Sequence, residues 1–169
     1  MERVAILGSG GAGKSVLATE LSGRTGLPVV HLDVLYWAPG WVERPQDEFR
    51  AALDAAVAED QWILDGNVLR DDADDPRFAR ADTVVFLDVR RSTCLWRAVR
   101  RRVRDRGRRR ADLPEGCLEG WDLPFLRWVW GYPKYVRPRV LRILAGLNSR
   151  VSIHHLRSNA DVRRFLESV

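Results

Sequence analysis

The sequence predicts an α/β fold of the P-loop NTPase kind, three layers deep, with a five-stranded parallel sheet between helices. Three observations carry this. Short apolar runs alternate with helical patterns along the 169 residues, as strand-helix-strand units require. The first run, Val4 to Leu7, leads directly into Gly8-Ser9-Gly10-Gly11-Ala12-Gly13-Lys14-Ser15, which fits G-x-x-x-x-G-K-[ST] at every fixed position. Three later runs end at an aspartate (Asp33, Asp65, Asp88), and ligands of open α/β sheets bind beyond such strand ends.

The elements follow in order. After the glycine loop, Val16 enters a helix whose Leu17, Ala18 and Leu21 share a face and whose pattern stops near Gly23 and Gly26. Leu27 to Leu32 reads as a short buried strand. Residues 34–41, rich in Pro, Gly and aromatics, are expected to be irregular. Pro45 to Ala58 is helical, with Phe49, Leu53 and Val57 at four-residue spacing. Gln61 to Gly66 is the third strand. Asp71, Asp72, Asp74 and Asp75 then precede Pro76 and a short helix to Ala81, and Thr83 to Asp88 is the fourth strand. The helix from Ser92 to Arg104 predicts an apolar side of Leu95, Val99 and Val103 opposite Arg97, Arg100, Arg101 and Arg104. Residues 106–120 read as a loop in which Arg106, Arg108, Arg109 and Arg110 surround Gly107. Trp121 to Leu147 predicts two helices separated near Gly131 and Pro133, Arg150 to Leu156 the fifth strand, and Asp161 to Val169 a closing helix. With no linker or repeat, one domain spanning 1–169 is expected.

Apolar content of 46% and charged content of 30% are those of a globular chain. No apolar run approaches the roughly 20 residues of a membrane span, and the chain enters its first strand without a signal-like segment, which predicts a cytoplasmic protein away from membranes; a monomer or dimer is expected. Cys94 and Cys117 share no metal-like spacing with His31, His154 or His155, and the three histidines read as structural. A formal charge of +5 and a pI near 9.8 point to anionic partners, either phosphorylated small molecules or nucleic acid.

The glycine loop states its chemistry most directly. Glycines let backbone N–H groups turn inward around phosphates, and the following helix presents its positive end to the same place. Lys14 would reach the outer phosphates of ATP, and the Ser15 hydroxyl would lie on Mg²⁺. Among 28 Lys and Arg residues, lysine stands only at Lys14 and Lys134, and a compact ammonium suits the loop where a planar guanidinium does not. The strand-end aspartates predict metal ligation or the orientation of an acceptor hydroxyl, beside the bland alternative of turn capping. The arginine stripe and loop could close over a transferred phosphate, form a solvated face, or bind nucleic acid. Tyr36, Trp37 and Trp41, directly after Asp33, could stack a planar acceptor. Trp121, Trp128, Trp130 and Tyr132, beyond the arginine loop, read as core.

His31-Leu-Asp-Val-Leu-Tyr-Trp-Ala-Pro-Gly-Trp41, Trp62-Ile-Leu-Asp-Gly-Asn67, Ala81 to Asp88, Cys94-Leu-Trp-Arg97 and Leu156-Arg-Ser158 together resemble the P-loop proteins called DNA topology modulation proteins, a family itself similar to adenylate kinase. The resemblance implies a nucleoside-monophosphate-kinase-like fold with strand order 2-3-1-4-5, an acceptor segment over about 33–60 and a short arginine-rich lid over about 104–120. It implies ATP phosphates on Gly8 to Ser15 with Val16 behind them, Mg²⁺ water ligation by Asp65, and lid-base roles for Arg97 and Arg101. Asn67 closes the stretch that matches at the third strand. Adenylate kinase continues with an acceptor-phosphate arginine four residues past the aspartate; here Leu69 occupies that place, leaving Arg70 and Arg77 as candidates. The expected activity is transfer of the ATP γ-phosphoryl group to a small acceptor, a nucleotide or nucleoside, with Lys14, Asp33, Arg97 and Arg101 as the catalytic set. A small-metabolite kinase and a nucleic-acid-binding topology modulator are the alternatives.

Overall fold

The strand before the glycine loop is apolar without alternation, which requires both of its faces to be covered. In the computed structural model, which describes residues 1–67, 75–104, 116–117 and 122–169, β1 (Arg3–Gly8) does lie at the centre of a sheet. Val4 and Ile6 join Leu17, Leu21 and Phe165 on one face, while Ala5 and Leu7 join Phe49, Leu53 and Val140 on the other. With β2 (Val29–His31), β5 (Trp62–Asp65), β6 (Thr83–Leu87) and β7 (Ser152–Leu156), it forms a parallel sheet in the order β2-β5-β1-β6-β7. Counted within the sheet, that order is 2-3-1-4-5, as the resemblance implies.

The helices form the outer layers. α1 (Lys14–Thr25) and α8 (Asn159–Glu167) supply Leu17, Ala18, Leu21, Phe165 and Leu166 to the first core. α3 (Gln46–Ala58) and α7 (Arg137–Gly146) supply Phe49, Leu53, Val57, Val140 and Leu144 to the second. α8 begins with a capping box: Ser158 Oγ accepts the Asp161 N–H while the Asp161 carboxylate accepts the Ser158 N–H. Asp82 joins the starts of two strands, since its Oδ2 accepts the N–H groups of Glu2 (2.8 Å) and Arg3 (2.9 Å) and its Oδ1 the Thr83 hydroxyl (2.7 Å).

Four expectations are corrected. Residues 32–43 are ordered: Leu32 begins the short helix α2 (Leu32–Tyr36), so the second strand ends at His31, and β3 (Trp37–Ala38) pairs antiparallel with β4 (Val42–Glu43) around Pro39-Gly40-Trp41. Gly40 and Trp41 both have positive φ (80° and 62°), which makes that tight reversal. The buried side of α5 (Arg91–Arg104) is Cys94, Ala98 and Arg102, while Val103 is 63% exposed. The hydropathy pattern fails there because Arg102 is buried by stacking over the Phe125 ring at 4.3 Å, an arrangement that hides a guanidinium as effectively as an aliphatic group. Finally, α6 (Leu123–Tyr135) runs through Gly131 and Pro133, and the break falls at Val136, just before Pro138 in the first turn of α7. Among the described residues, no helix is long and apolar enough to cross a membrane.

Candidate active site

The carboxyl ends of β1, β2 and β5 and the start of α1 meet at one cavity of about 930 Å³. The glycine loop forms its floor, and the loop's conformation is one that glycine alone allows. Gly8, Gly11 and Gly13 have φ of 154°, 78° and 104°. A Cβ on Gly8 would lie 2.8 Å from the Leu87 carbonyl oxygen, one on Gly10 2.5 Å from Phe125 Cζ, and one on Gly11 would overlap the Cys94 carbonyl oxygen. α5 and α6 therefore press on the outside of the loop while its interior stays open. Gly10, Gly11, Gly13, Lys14, Ser15 and Val16 line the cavity. Gly8, Ser9 and Ala12 support the loop from behind: Ser9 O accepts both the Ala12 N–H (3.1 Å) and Lys14 Nζ (3.3 Å). The buried Ser9 hydroxyl has no hydrogen-bond partner among the described residues. A cradle without Cβ atoms, at the N-terminus of a twelve-residue helix and holding an ammonium and a hydroxyl, fits a magnesium-bound polyphosphate.

Asp65 stands beside this cradle. Strand register sets His31 opposite Asp65, with His31 Nδ1 3.1 Å from Asp65 Oδ2. Burial pushes the Asp65 carboxyl up, but the His31 ring, the Lys14 ammonium and the Ser15 hydroxyl outweigh it and hold its pKa below the ordinary carboxylate range. It is thus an anion at neutral pH, beside the Ser15 hydroxyl. His31 lines the cavity and is no remote core residue; the paired register of two strands, invisible along one, is what reveals it. Asp33, in the first turn of α2, lines the cavity together with Gly66 and Asn67.

Another part of the lining is cationic. Arg97, Arg100, Arg101 and Arg104 of α5 all belong to it. Arg97 donates to Ala12 O (3.2 Å) and Asn159 Oδ1 (2.8 Å), tying the loop to the start of α8.

Other expected site residues lie elsewhere. Arg77 is fully buried, and its guanidinium donates to Asp75 (Nε to Oδ1 3.0 Å, Nη2 to Oδ2 2.6 Å) and to Asn67 O (2.7 Å). It props the cavity wall from inside the core and cannot reach a ligand. Tyr36, Trp37 and Trp41 are not cavity-lining; Tyr36 packs edge-on against Phe49 at 5.3 Å, and Trp37 against Trp41 at 5.7 Å. Among the described residues, the Phe, Tyr and Trp side chains that line the cavity are Trp96, Phe125 and Trp128, so Trp128 is corrected from core to cavity. Asp88 is held by Arg137 (Nη2 to Oδ2 2.8 Å) and His155 (Nε2 to Oδ2 2.8 Å), away from the cavity lining. Arg70 and Arg106, Arg108, Arg109 and Arg110 lie outside the described residues, as does Trp121.

No family model and no curated protein sequence matches the chain, so the likeness to the DNA topology modulation proteins rests on the sequence stretches alone. Solved structures do match. A sugar kinase from a Janibacter species is 16% identical, with a TM-score of 0.54 over 99% of this chain and 91% of that one. The shikimate kinase of Acinetobacter baumannii, in complex with shikimate, is 16% identical (TM-score 0.57, 99% and 90%). A gluconokinase from Sinorhizobium meliloti is 15% identical (TM-score 0.52, 99% and 94%). The chain thus has the fold of these P-loop kinases over nearly its whole length.

Proposed function

We propose that the protein is an ATP-dependent phosphotransferase acting on a small hydroxyl-bearing acceptor. One observation carries this reading: the phosphate cradle and a separate carboxylate-bearing segment, Asp33 with Asn67, line a single cavity. Lys14 and the loop N–H groups would hold the donor phosphates, and Ser15 with Asp65 would hold hydrated Mg²⁺, which neutralises phosphate charge when bound. Asp33 would orient the acceptor hydroxyl and take its proton, while Arg97 and Arg101 steady the phosphoryl group in transit. The kinases that share the fold support the same reaction class, and a cytoplasmic site of action suits an ATP-consuming enzyme.

Purified protein incubated with ATP, Mg²⁺ and an acceptor panel tests the proposal, with Lys14→Ala alongside. We expect acceptor-dependent ADP release that the variant loses. If no acceptor is phosphorylated and the variant binds ATP as tightly as the parent, the proposal is wrong. Nucleic-acid binding through α5 would compete with this use, because Arg97, Arg100, Arg101 and Arg104 line the cavity; a labelled-duplex titration at two salt concentrations measures it directly.

A further inference from the structure

We propose that the acceptor is an uncharged molecule of nucleoside class, a planar ring bearing hydroxyl groups, and that Trp128 is the platform on which its ring stacks. The inference rests on the phosphotransferase reading above and chooses among its possible acceptors.

The first support is the aromatic wall. Trp128 lines the cavity and is 38% exposed. Its ring is fixed from behind by an edge contact with the buried Tyr132 (5.6 Å, 79°) and lies 5.9 Å from Phe125. Phe125 is itself held between the Arg102 guanidinium and Gly10 at the tip of the phosphate loop. The platform is therefore positioned before any ligand arrives, at the loop, where an acceptor must meet the phosphoryl group. Trp130, two residues along, is 48% exposed, does not line the cavity and lies over Arg91 at 4.1 Å.

The second support is the polarity of the strand-end wall. Its described residues are His31, Asp33, Asp65, Gly66 and Asn67, and the buried Asn67 Oδ1 has no partner among the described residues. Two carboxylates and an amide oxygen accept hydrogen bonds, so this wall favours a ligand that donates them through hydroxyls or ring amino groups. A phosphate or carboxylate on the acceptor would meet like charge there. Arg77, ten residues past Asn67 in the chain, is spent on Asp75, and among the described residues the lining arginines all belong to α5. In the transfer, the acceptor oxygen bonds to the γ-phosphorus as the bond to the departing ADP oxygen breaks, and the hydroxyl proton passes to Asp33.

The experiment uses the full chain with three ligand groups: adenosine, cytidine and thymidine; their 5′-monophosphates; and shikimate and gluconate. Binding is read by saturation-transfer NMR and turnover by ADP release, for the parent, Trp128→Leu, Trp128→Phe and Trp130→Leu, with circular-dichroism melts confirming that each variant folds. We expect nucleosides to bind and be phosphorylated. Trp128→Leu should raise nucleoside KM about tenfold or more, within the range for base-aromatic stacking, with the KM for ATP within twofold. Trp128→Phe should restore most of the loss, and Trp130→Leu should change nothing. Turnover of the monophosphates, shikimate or gluconate instead of nucleosides overturns this inference and leaves the phosphotransferase reading standing. Equal nucleoside binding by Trp128→Leu and parent also overturns it. If nothing is phosphorylated, that reading fails, and NMR still decides: nucleoside binding lost in Trp128→Leu upholds the site, and absence of nucleoside binding removes it.

Discussion

Adding one methyl group at Gly11 should destabilise the protein and cripple the phosphate cradle together. Gly11 has φ of 78°, and holding a residue with a Cβ there costs about 1–2 kcal/mol. The new Cβ would also overlap the carbonyl oxygen of Cys94. That atom belongs to the first turn of α5 and cannot rotate away, so the overlap adds the roughly 1–3 kcal/mol typical of overpacking. The sum, about 2–5 kcal/mol, is a large share of the ~5–15 kcal/mol that holds a domain together, and for this chain length it corresponds to a loss of roughly 4–20 °C in Tm. The strain separates the loop from α5, so Arg97 should lose its bond to Ala12 O and affinity for ATP·Mg²⁺ should fall. Gly23→Ala is the control. Gly23 lies within α1 with nothing within 4 Å of its Cβ position, and the same methyl there should raise stability by about 0.5–1 kcal/mol. Thermal and urea melts, with titration of a fluorescent ATP analogue, read both effects. A Gly11→Ala protein that melts and binds the analogue as the parent does would refute the argument that α5 is pressed against this loop.

Further outcomes follow from the same contacts. Arg77→Ala should cost about 3–5 kcal/mol, because it leaves the Asp75 carboxylate buried without its partner; Asp75→Ala combined with it should cost less than the two single changes added, and a double-mutant urea series checks this. Asp65→Asn should abolish Mg²⁺-dependent ADP release while leaving the fold intact, read by the activity assay beside a thermal melt. Asp82 has a depressed pKa: burial raises it, but the Thr83 hydroxyl and the N–H groups of Arg3 and Glu2 outweigh that. Its contribution to stability is therefore present above a pH of about 4 and lost as pH falls through the folded value, so Asp82→Asn should flatten that part of a melting-temperature profile. Ser158→Ala should cost about 1 kcal/mol in urea melts by opening the α8 capping box.

By itself the sequence determined the layered α/β fold. Continuous apolar strands, amphipathic helices and a glycine loop are local signals, and each element obeys its own periodicity whatever its neighbours do. It also marked Lys14, Ser15, Asp33 and Asp65, which the fold gathers at one cavity, because chemistry at strand ends and helix starts is written in adjacent residues. What only the tertiary structure decided are pairings across the chain. Register set His31 against Asp65. The docking of α6 turned α5, burying Arg102 against Phe125 and bringing Trp128 to the cavity, while Tyr36, Trp37 and Trp41, equally aromatic and closer in sequence to Asp33, packed elsewhere. Arg77, a plausible ligand by position, became an internal brace once Asp75 and the Asn67 carbonyl surrounded it. The physical reason is the same in each case: a guanidinium or an indole can be core, wall or surface at similar local propensity, and the choice is made by partners distant in sequence.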